Sequence, residues 1–172
     1  MSGSLIKIDE EIVTSAVASV TLTGIDSTYD VYQLVISNYQ SASNQSISMR
    51  VTESGTPNST ANYDEASKYL KSSSAFSNFS NTNQTSGFLT TTVGSTAGYN
   101  GNTTAYLFNF NNASEYSFYT VEASHSETSG GVLGLQGGGV FTSTSSCDGV
   151  YIFGSNSYNF TGNFTLYGLK KS

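Results

Sequence analysis

The chain has 172 residues, a length that suits one domain spanning residues 1–172. Only 10% of its residues are charged, and six basic against twelve acidic side chains give a net charge of −6. Because nucleic-acid binding needs a basic surface that neutralises phosphates, this balance excludes nucleic acid as a partner and disfavours anionic membrane surfaces. No stretch approaches the ~18 apolar residues of a membrane-spanning helix, so no membrane partner is expected.

The residue types favour an all-β fold. The 12 Tyr and 10 Phe, with recurrent Val, Ile and Thr, are typical of strands, while Ser, Asn and Gly are typical of turns. Short strands separated by turn signals predict a single-domain antiparallel fold, a β-sandwich or a jelly roll. In chain order, the strands are predicted at Leu5–Ile8, Thr14–Thr23, Val31–Ser37, Ser46–Thr52, Gly87–Val93, Thr104–Phe110, Ser117–Ala123, Gly139–Thr142, Gly149–Phe153 and Asn163–Leu169.

One segment has a helical pattern. In Ala61–Ser72, Tyr63, Ala66 and Leu70 fall at i, i+3 and i+7, with acidic residues early and lysines late. That order of charges complements a helix dipole. The pattern predicts one short helix that crosses an end of the sandwich.

Two long stretches are almost free of charge. Ser72–Ser114 contains no charged residue, and in Thr128–Leu169 the only one is Asp148. A surface of Ser, Thr, Asn, Gly and Tyr is typical of a sugar-binding face or of a packed contact between subunits. Long polar loops are the alternative interpretation.

Reactive groups are scarce. The only histidine, His125, lies between two serines that would point to the opposite face of a strand, so we expect an exposed strand or loop residue rather than a catalytic base. The only cysteine, Cys147, is expected to be a small buried apolar residue. The run Asp9–Glu11 lacks the spacing of a calcium loop and is expected to be a solvated cluster. Gly134–Phe141 lacks the ending of a phosphate-binding loop and indicates a tight connection or close backbone packing. We therefore expect no catalytic residue, no cofactor and no metal site, and no enzyme.

Asn159-Phe160-Thr161 and Asn163-Phe164-Thr165 match the acceptor pattern for N-linked glycans. Such triplets are common by chance in a chain so rich in Ser, Thr and Asn, and residues 1–30 have no continuous apolar core of signal-peptide type. We expect a last strand here, with Gly162 at a turn and Lys170 and Lys171 after the strand, rather than a glycosylated tail.

A set of phrases in fixed order resembles small virion structural proteins of tailed bacteriophages, of the marine and freshwater phage type. The resemblance extends from end to end and rests on strand and turn motifs. The phrases are SLIKIDE at Ser4–Glu10, GIDSTYDVYQLVISN at Gly24–Asn38, MRVTESGTP at Met49–Pro57, YLFNFNN at Tyr106–Asn112, GGGVF at Gly137–Phe141 and FTLYGLKK at Phe164–Lys171.

The resemblance implies a non-enzymatic jelly-roll β-sandwich that is made in the bacterial cytoplasm and built into the virion. The favoured role is that of a capsid decoration (cement) protein, which binds the major capsid protein on the head surface and itself as a homotrimer or another symmetric oligomer. The alternative role is that of a tail-associated receptor- or carbohydrate-binding module. The absence of Trp, a preferred stacking platform for sugars, weighs against that alternative.

Three aromatic residues in the charge-free stretch are candidates for the subunit or capsid contact: Phe76, Phe79 and Tyr99. The alternative for each is an aromatic ring that closes the end of the sandwich core.

Overall fold

The computed structural model describes residues 4–127 and 131–169, and within them the chain forms strands and turns with no helix. The strands are β1 (Leu5–Val17), β2 (Ser19–Thr23), β3 (Val31–Ser41), β4 (Gln45–Glu53), β5 (Thr56–Pro57), β6 (Tyr63–Lys71), β7 (Ser77–Gln84), β8 (Gly87–Val93), β9 (Gly101–Phe108), β10 (Ser117–Ser126), β11 (Val132–Phe141), β12 (Gly149–Gly154) and β13 (Phe160–Leu169).

These strands form two antiparallel sheets, which confirms the all-β prediction. The large sheet has eight strands in the order β1-β13-β3-β9-β10-β11-β6-β7. The small sheet has the order β2-β12-β4-β5, and β8 also pairs with β4. The predicted strand at Thr14–Thr23 spans two elements, because the chain bends at Ala18 and passes from the large sheet to the small one.

The core lies between the inner faces of the two sheets. Alternate residues of β3, β9 and β10 are buried while their neighbours are partly or fully exposed, as expected for strands with one face toward the core. The largest fully buried side chains are Tyr32, Tyr39, Tyr63, Phe141, Phe160, Phe164, Leu22, Leu34, Ile36, Ile47, Met49 and Leu89.

The helix predicted at Ala61–Ser72 is wrong, because this segment is strand β6. Every second residue from Tyr63 faces inward, and β6 pairs with β11 along its whole length, from Tyr63 opposite Phe141 to Lys71 opposite Leu133. Tyr63, Ala66 and Leu70 fit a helical spacing, but they also fit the alternation of a strand in part. The pairing of this segment with β11 therefore determines that it is a strand.

The glycine run in β11 allows close packing, one of the two interpretations of this motif. A Cβ atom on Gly139 would lie 2.5 Å from Tyr119 Oη and 2.7 Å from the carbonyl oxygen of Asp64. A Cβ atom on Gly137 would lie 2.3 Å from Cβ of Ser67. Because glycine has no side chain, the Tyr119 ring and strand β6 can occupy the space beside β11.

The charge-free stretches are mostly strands, so the interpretation as long polar loops is wrong. Ser72–Ser114 contains β7, β8 and β9, and the described part of Thr128–Leu169 contains β11, β12 and β13. The sequence missed β7 because SNFSNTNQ has only one apolar residue.

Strand β13 is confirmed, with Phe164 and Leu166 buried on the inner face. Gly162, which was expected at a turn, instead lies inside this strand, at a shift in its register with β3. Its φ of +151° falls in the range that L side chains rarely adopt. Gly162 therefore permits a β-bulge. Lys170 and Lys171 lie outside the described residues.

Candidate interaction surface

The outer face of the large sheet is the most extended candidate surface. On β10 the exposed residues Phe118, Thr120, Glu122 and Ser124 alternate with buried ones. The register places Phe118 opposite Phe108 of β9, on the same side of the sheet. Side chains that point outward from neighbouring strands thus form continuous cross-strand rows on this face.

Two exposed aromatic rings stand on this face. Tyr106 is 41% exposed and Phe118 is 47% exposed. Tyr106 pairs with Thr120, two residues from Phe118 on β10, so the two rings are diagonal neighbours. The alternation of SFYTVEAS could have shown that Phe118 faces outward, although neither ring is among the predicted contact residues.

A groove of about 570 Å³ runs along this face beside Phe118. Ala66, Thr120, Gly138 and Val140 contribute to its lining. Small side chains on three adjacent strands leave the depression open. A second groove of about 360 Å³, lined by Thr104, Tyr106, Glu122 and Gln136 among others, also borders Thr120.

The outer face carries little charge. Among the side chains that point outward from β9, β10 and β11, only Glu122 is charged, and its Oε1 accepts a hydrogen bond from Gln136 Nε2 at 3.0 Å. The neighbouring β6 adds two charged residues: Lys68 is exposed opposite Gln136, and Asp64 Oδ1 accepts the backbone N–H of Asn83 at 2.8 Å. A partner covering this face would bury many hydroxyl and amide groups with little desolvation of charge.

The three aromatic candidates for a contact occupy different environments. Phe79 stacks on Tyr69 with ring centroids 5.7 Å apart and packs on Phe88 at 4.9 Å, so it joins β7 to the small sheet. Phe76 is 60% exposed, with Lys68 Nζ 5.8 Å from its ring centroid. Tyr99 packs against Gly94, where an added Cβ would lie 2.6 Å from its Cδ2. Phe79 fits the alternative of an aromatic that closes the core, and Phe76 is the most accessible of the three; their contact with a subunit or capsid stays a prediction.

His125 is buried, so the prediction of an exposed histidine is wrong. It is 4% exposed on the inner face of β10, and its Nδ1 lies 3.1 Å from Thr90 Oγ1. Its Nε2 is buried without a hydrogen-bond partner among the described residues. Burial lowers the pKa of His125 to about 4, so the imidazole is neutral at pH 7.

The partly buried carboxylate of Glu65 forms a polar cluster that was not predicted from the sequence. Glu65 Oε2 accepts the backbone N–H of Phe88 at 2.7 Å and lies 3.4 Å from Tyr119 Oη, and Oε1 accepts Asn81 Nδ2 at 3.2 Å. Burial raises the pKa of Glu65, and burial also raises the pKa of Tyr119. These hydrogen bonds connect β6 and β10 of the large sheet with β8 of the small one. The role of the Glu65 carboxylate is therefore to hold the two sheets together.

The remaining reactive groups also have structural surroundings. Cys147 is buried and free, as predicted, and burial raises the pKa of its thiol to about 11. Asp148 Oδ1 accepts Thr52 Oγ1–H at 2.6 Å and Oδ2 accepts the Gly55 N–H at 2.8 Å, so this charge holds the turn between β4 and β5.

In the acidic run Asp9–Glu11, the two glutamates are exposed, whereas Asp9 Oδ2 accepts the Thr23 N–H at 2.7 Å. Within residues 4–127 and 131–169, no cluster of three or more His, Cys, Asp or Glu is placed to hold a metal ion. The same residues include no helix with the length and apolarity needed to cross a membrane.

Comparison of the chain with protein-family models, with curated proteins and with solved structures finds no match.

Proposed function

We propose that the chain is a non-enzymatic phage virion structural protein, made in the bacterial cytoplasm, that binds the major capsid protein and reinforces the head as a capsid decoration (cement) protein. The observation that carries this proposal is the outer face of the large sheet. Its middle part, on β9, β10 and β11, is nearly uncharged and exposes Tyr106 and Phe118. Such a surface gives area and many hydrogen bonds, and dense display on a shell multiplies weak contacts.

The connectivity supports a jelly-roll type of sandwich within this proposal. The chain passes from β2 in the small sheet to β3 in the large one, returns to β4, and later inserts β12 between β2 and β4. From β1 to β4 the chain thus changes sheet at every step, and β12 lies beside β2 and β4, which are distant from it in sequence. Greek-key strands that wrap into two facing sheets have this pattern.

The surroundings of the reactive groups support a non-enzymatic role. His125 and Cys147 are both buried in the core, and Glu65 is engaged by three donors of the fold. A nucleophile and base within reach of a substrate would have to be exposed in a cleft. The accessible side chains of the outer face are mainly hydroxyl, amide and aromatic groups, which bind rather than react.

Particles with and without the protein test the proposal. We expect copies distributed over the head shell, and particles that lack the protein should release their genome at a lower temperature than complete ones. Copies confined to the tail, or full heat resistance of particles without the protein, would contradict a decoration role.

Variants locate the contact. Tyr106→Ala and Phe118→Ala should weaken binding to the head, because each removes an exposed ring from the outer face. Tyr158→Ala is the matched control, since Tyr158 is similarly exposed, at 44%, in the loop before β13. Equal head binding by all three variants would exclude this face as the contact.

A second candidate function is binding of a neutral carbohydrate by the same face. The diagonal pair Tyr106 and Phe118 offers two aromatic surfaces, and the Glu122–Gln136 pair supplies hydrogen-bond acceptors and donors for hydroxyl groups. Soluble surface polysaccharide of the host should then compete with attachment of the virion to cells. Complete heat resistance together with lost adsorption in particles that lack the protein would favour this candidate over the first.

A further inference from the structure

The large sheet has two open edges, and they differ in how they are protected. β1 ends the sheet on one side and β7 ends it on the other, and each has one partner strand within the described residues. An exposed strand edge presents free backbone N–H and C=O groups, so folded proteins protect such edges with charges, proline, bulges or a covering segment.

The β1 edge is protected in this way. It carries Lys7, Asp9, Glu10 and Glu11, and its register with β13 shifts between Lys7 and Asp9 and again between Val13 and Val17. The Lys7–Glu10 ion pair at 2.9 Å keeps charge at the edge. A second chain that paired here would have to desolvate these charges and match an irregular backbone.

The β7 edge lacks charge and proline, and its one irregularity in the register with β6 lies at its end, between Asn81 and Gln84. Its sequence, SNFSNTNQ, contains no charged residue and no proline, and neither does the whole stretch from Ser72 to Ser114. Its outward-pointing residues Asn78, Ser80 and Thr82 are exposed. By contrast, β8 at the edge of the small sheet is mostly buried, so within residues 4–127 and 131–169 β7 is a long, neutral edge that no other strand covers.

We propose that β7 is a pairing edge for a second copy of this chain, joined antiparallel to β7 of the partner about a two-fold axis, so that the two large sheets become one continuous sheet. A second copy fits because the same neutral edge is present on both molecules and an isologous contact needs only a self-complementary strand. The pairing does not rest on the virion role, since it concerns the purified protein.

The alternation of side chains limits the register. Phe79 and Asn81 point inward, where they contact Phe88 and Glu65, while Ser80 points outward. A two-fold axis perpendicular to the sheet keeps inner faces on the same side, so residues of equal orientation must lie opposite each other. The axis must therefore pass through a residue position and not between two residues.

The backbone selects that position. Asn83 has a left-handed φ of 56°, and its N–H is bound to Asp64, so the extended part of β7 ends before it. The extended segment 77–82 has Phe79 and Ser80 at its centre, and the Phe79 ring already packs inward, so Ser80 is the position left for the axis. The geometry thus places Ser80 opposite Ser80 of the partner, with Asn78 opposite Thr82 of the partner subunit.

Sedimentation of the purified full chain over a wide concentration range tests the pairing. A contact of one strand edge is small, so we expect a monomer–dimer equilibrium with a dissociation constant of roughly 1 μM to 1 mM. Ser80→Lys places two like charges opposite each other and should raise this constant by about tenfold or more. Ser124→Lys, an identical change at an exposed site in the middle of the same face, should leave it unchanged.

Cross-linking tests the register and stays informative if the lysine variant folds poorly. Ser80→Cys should form a covalent dimer on mild oxidation, because directly opposite positions bring the Cβ atoms within disulfide reach. Ser124→Cys should remain monomeric, and Cys147 is buried and does not interfere. A chain that stays monomeric at about 1 mM, that forms trimers, or that associates equally well with Ser80→Lys would overturn the proposal. A monomeric result would leave the decoration role intact, since head binding is assayed on particles.

Discussion

At the scale of single residues, Gln45 is a polar link between the two sheets. Its Nε2 lies 2.7 Å from Ser41 Oγ, 3.0 Å from Tyr39 Oη and 2.8 Å from the carbonyl oxygen of Tyr158, and its Oε1 accepts the Tyr158 N–H at 3.2 Å. Gln45 is fully buried, so these groups have no access to water as a substitute. Gly154 makes room for the amide, because a Cβ there would lie 2.1 Å from Gln45 Oε1.

Gln45→Leu should therefore lower the free energy of unfolding by about 2–4 kcal/mol, because it leaves the partners of the amide buried and unsatisfied. Chemical denaturation measures the loss. Gln33→Leu, the same change at a half-buried site on the outer face, should cost less than about 1 kcal/mol. Equal losses in the two variants would show that the buried network adds no stability.

His125 should make the protein sensitive to mild acid. Its pKa is lowered to about 4 in the folded state, whereas the unfolded chain takes up a proton near pH 6.5. The stability that the neutral imidazole contributes is thus complete above pH 6.5 and is lost as the pH falls toward 4. The full difference corresponds to about 3 kcal/mol.

Glu65 acts in the opposite direction. Burial raises its pKa in the folded state, so the folded protein takes up this proton more readily than the unfolded chain, and acid stabilises the fold through this group. Between pH 7 and 5, His125→Gln should flatten the decline of the unfolding free energy, and Glu65→Gln should make the decline steeper. Denaturation series at each pH measure both slopes, and identical slopes in wild type and His125→Gln would contradict the assignment to His125.

The burial of His125 could have been predicted from its strand. Val121, Ala123 and His125 alternate with Glu122, Ser124 and Ser126, and the structure places the first set inward. The burial of Cys147 was predicted from its residue type. The residue type of His125 gives no such indication, because a polar ring in the core needs a hydrogen-bonding group nearby, and that group is Thr90 of β8.

At the scale of elements, β6 and β11 show why the fold class was predictable and one element was not. The ten predicted strands rest on local signals that the sequence contains: alternation in some, and apolar runs bounded by turn residues in others. The pairing of Ala61–Ser72 with a glycine-rich strand about seventy residues away is not a local property. β7 was missed for the same reason, since it is held by its pairing with β6 and by the Phe79 ring rather than by its own composition.

Gly139→Ala tests the close packing of these strands. The added methyl group would meet the Tyr119 ring and the backbone of Asp64, so we expect a loss of about 1–3 kcal/mol in the free energy of unfolding. Gly134→Ala in the same strand is the control, since its Cβ would have its nearest neighbour at an ordinary 3.5 Å. The control should change stability by no more than about 1 kcal/mol, with a gain possible from lower entropy of the unfolded chain. If the Gly139→Ala protein were as stable as Gly134→Ala, then β11 could shift to admit the methyl group with no loss in the free energy of unfolding.

At the scale of the whole molecule, the two sheets are joined at several separate places. The chain bends directly from β1 into β2, Gln45 binds residues of β3 and of the loop before β13, and Glu65 of β6 binds β8. Even the edge strand β7 is tied to the small sheet, through the packing of Phe79 on Phe88. One apolar core lies between these links.

This arrangement should make unfolding a single cooperative event. For 172 residues we expect one calorimetric transition with an enthalpy of about 120 kcal/mol near 60 °C, equal to the van't Hoff enthalpy. The protein concentration should be kept low, so that association through β7 does not shift the midpoint. Two transitions, or a calorimetric enthalpy well above the van't Hoff value, would mean that the β6–β7 end melts separately. Phe79→Ala should then show which case holds: in a cooperative molecule it lowers the midpoint of the one transition, whereas in a divided molecule it lowers only the first of two.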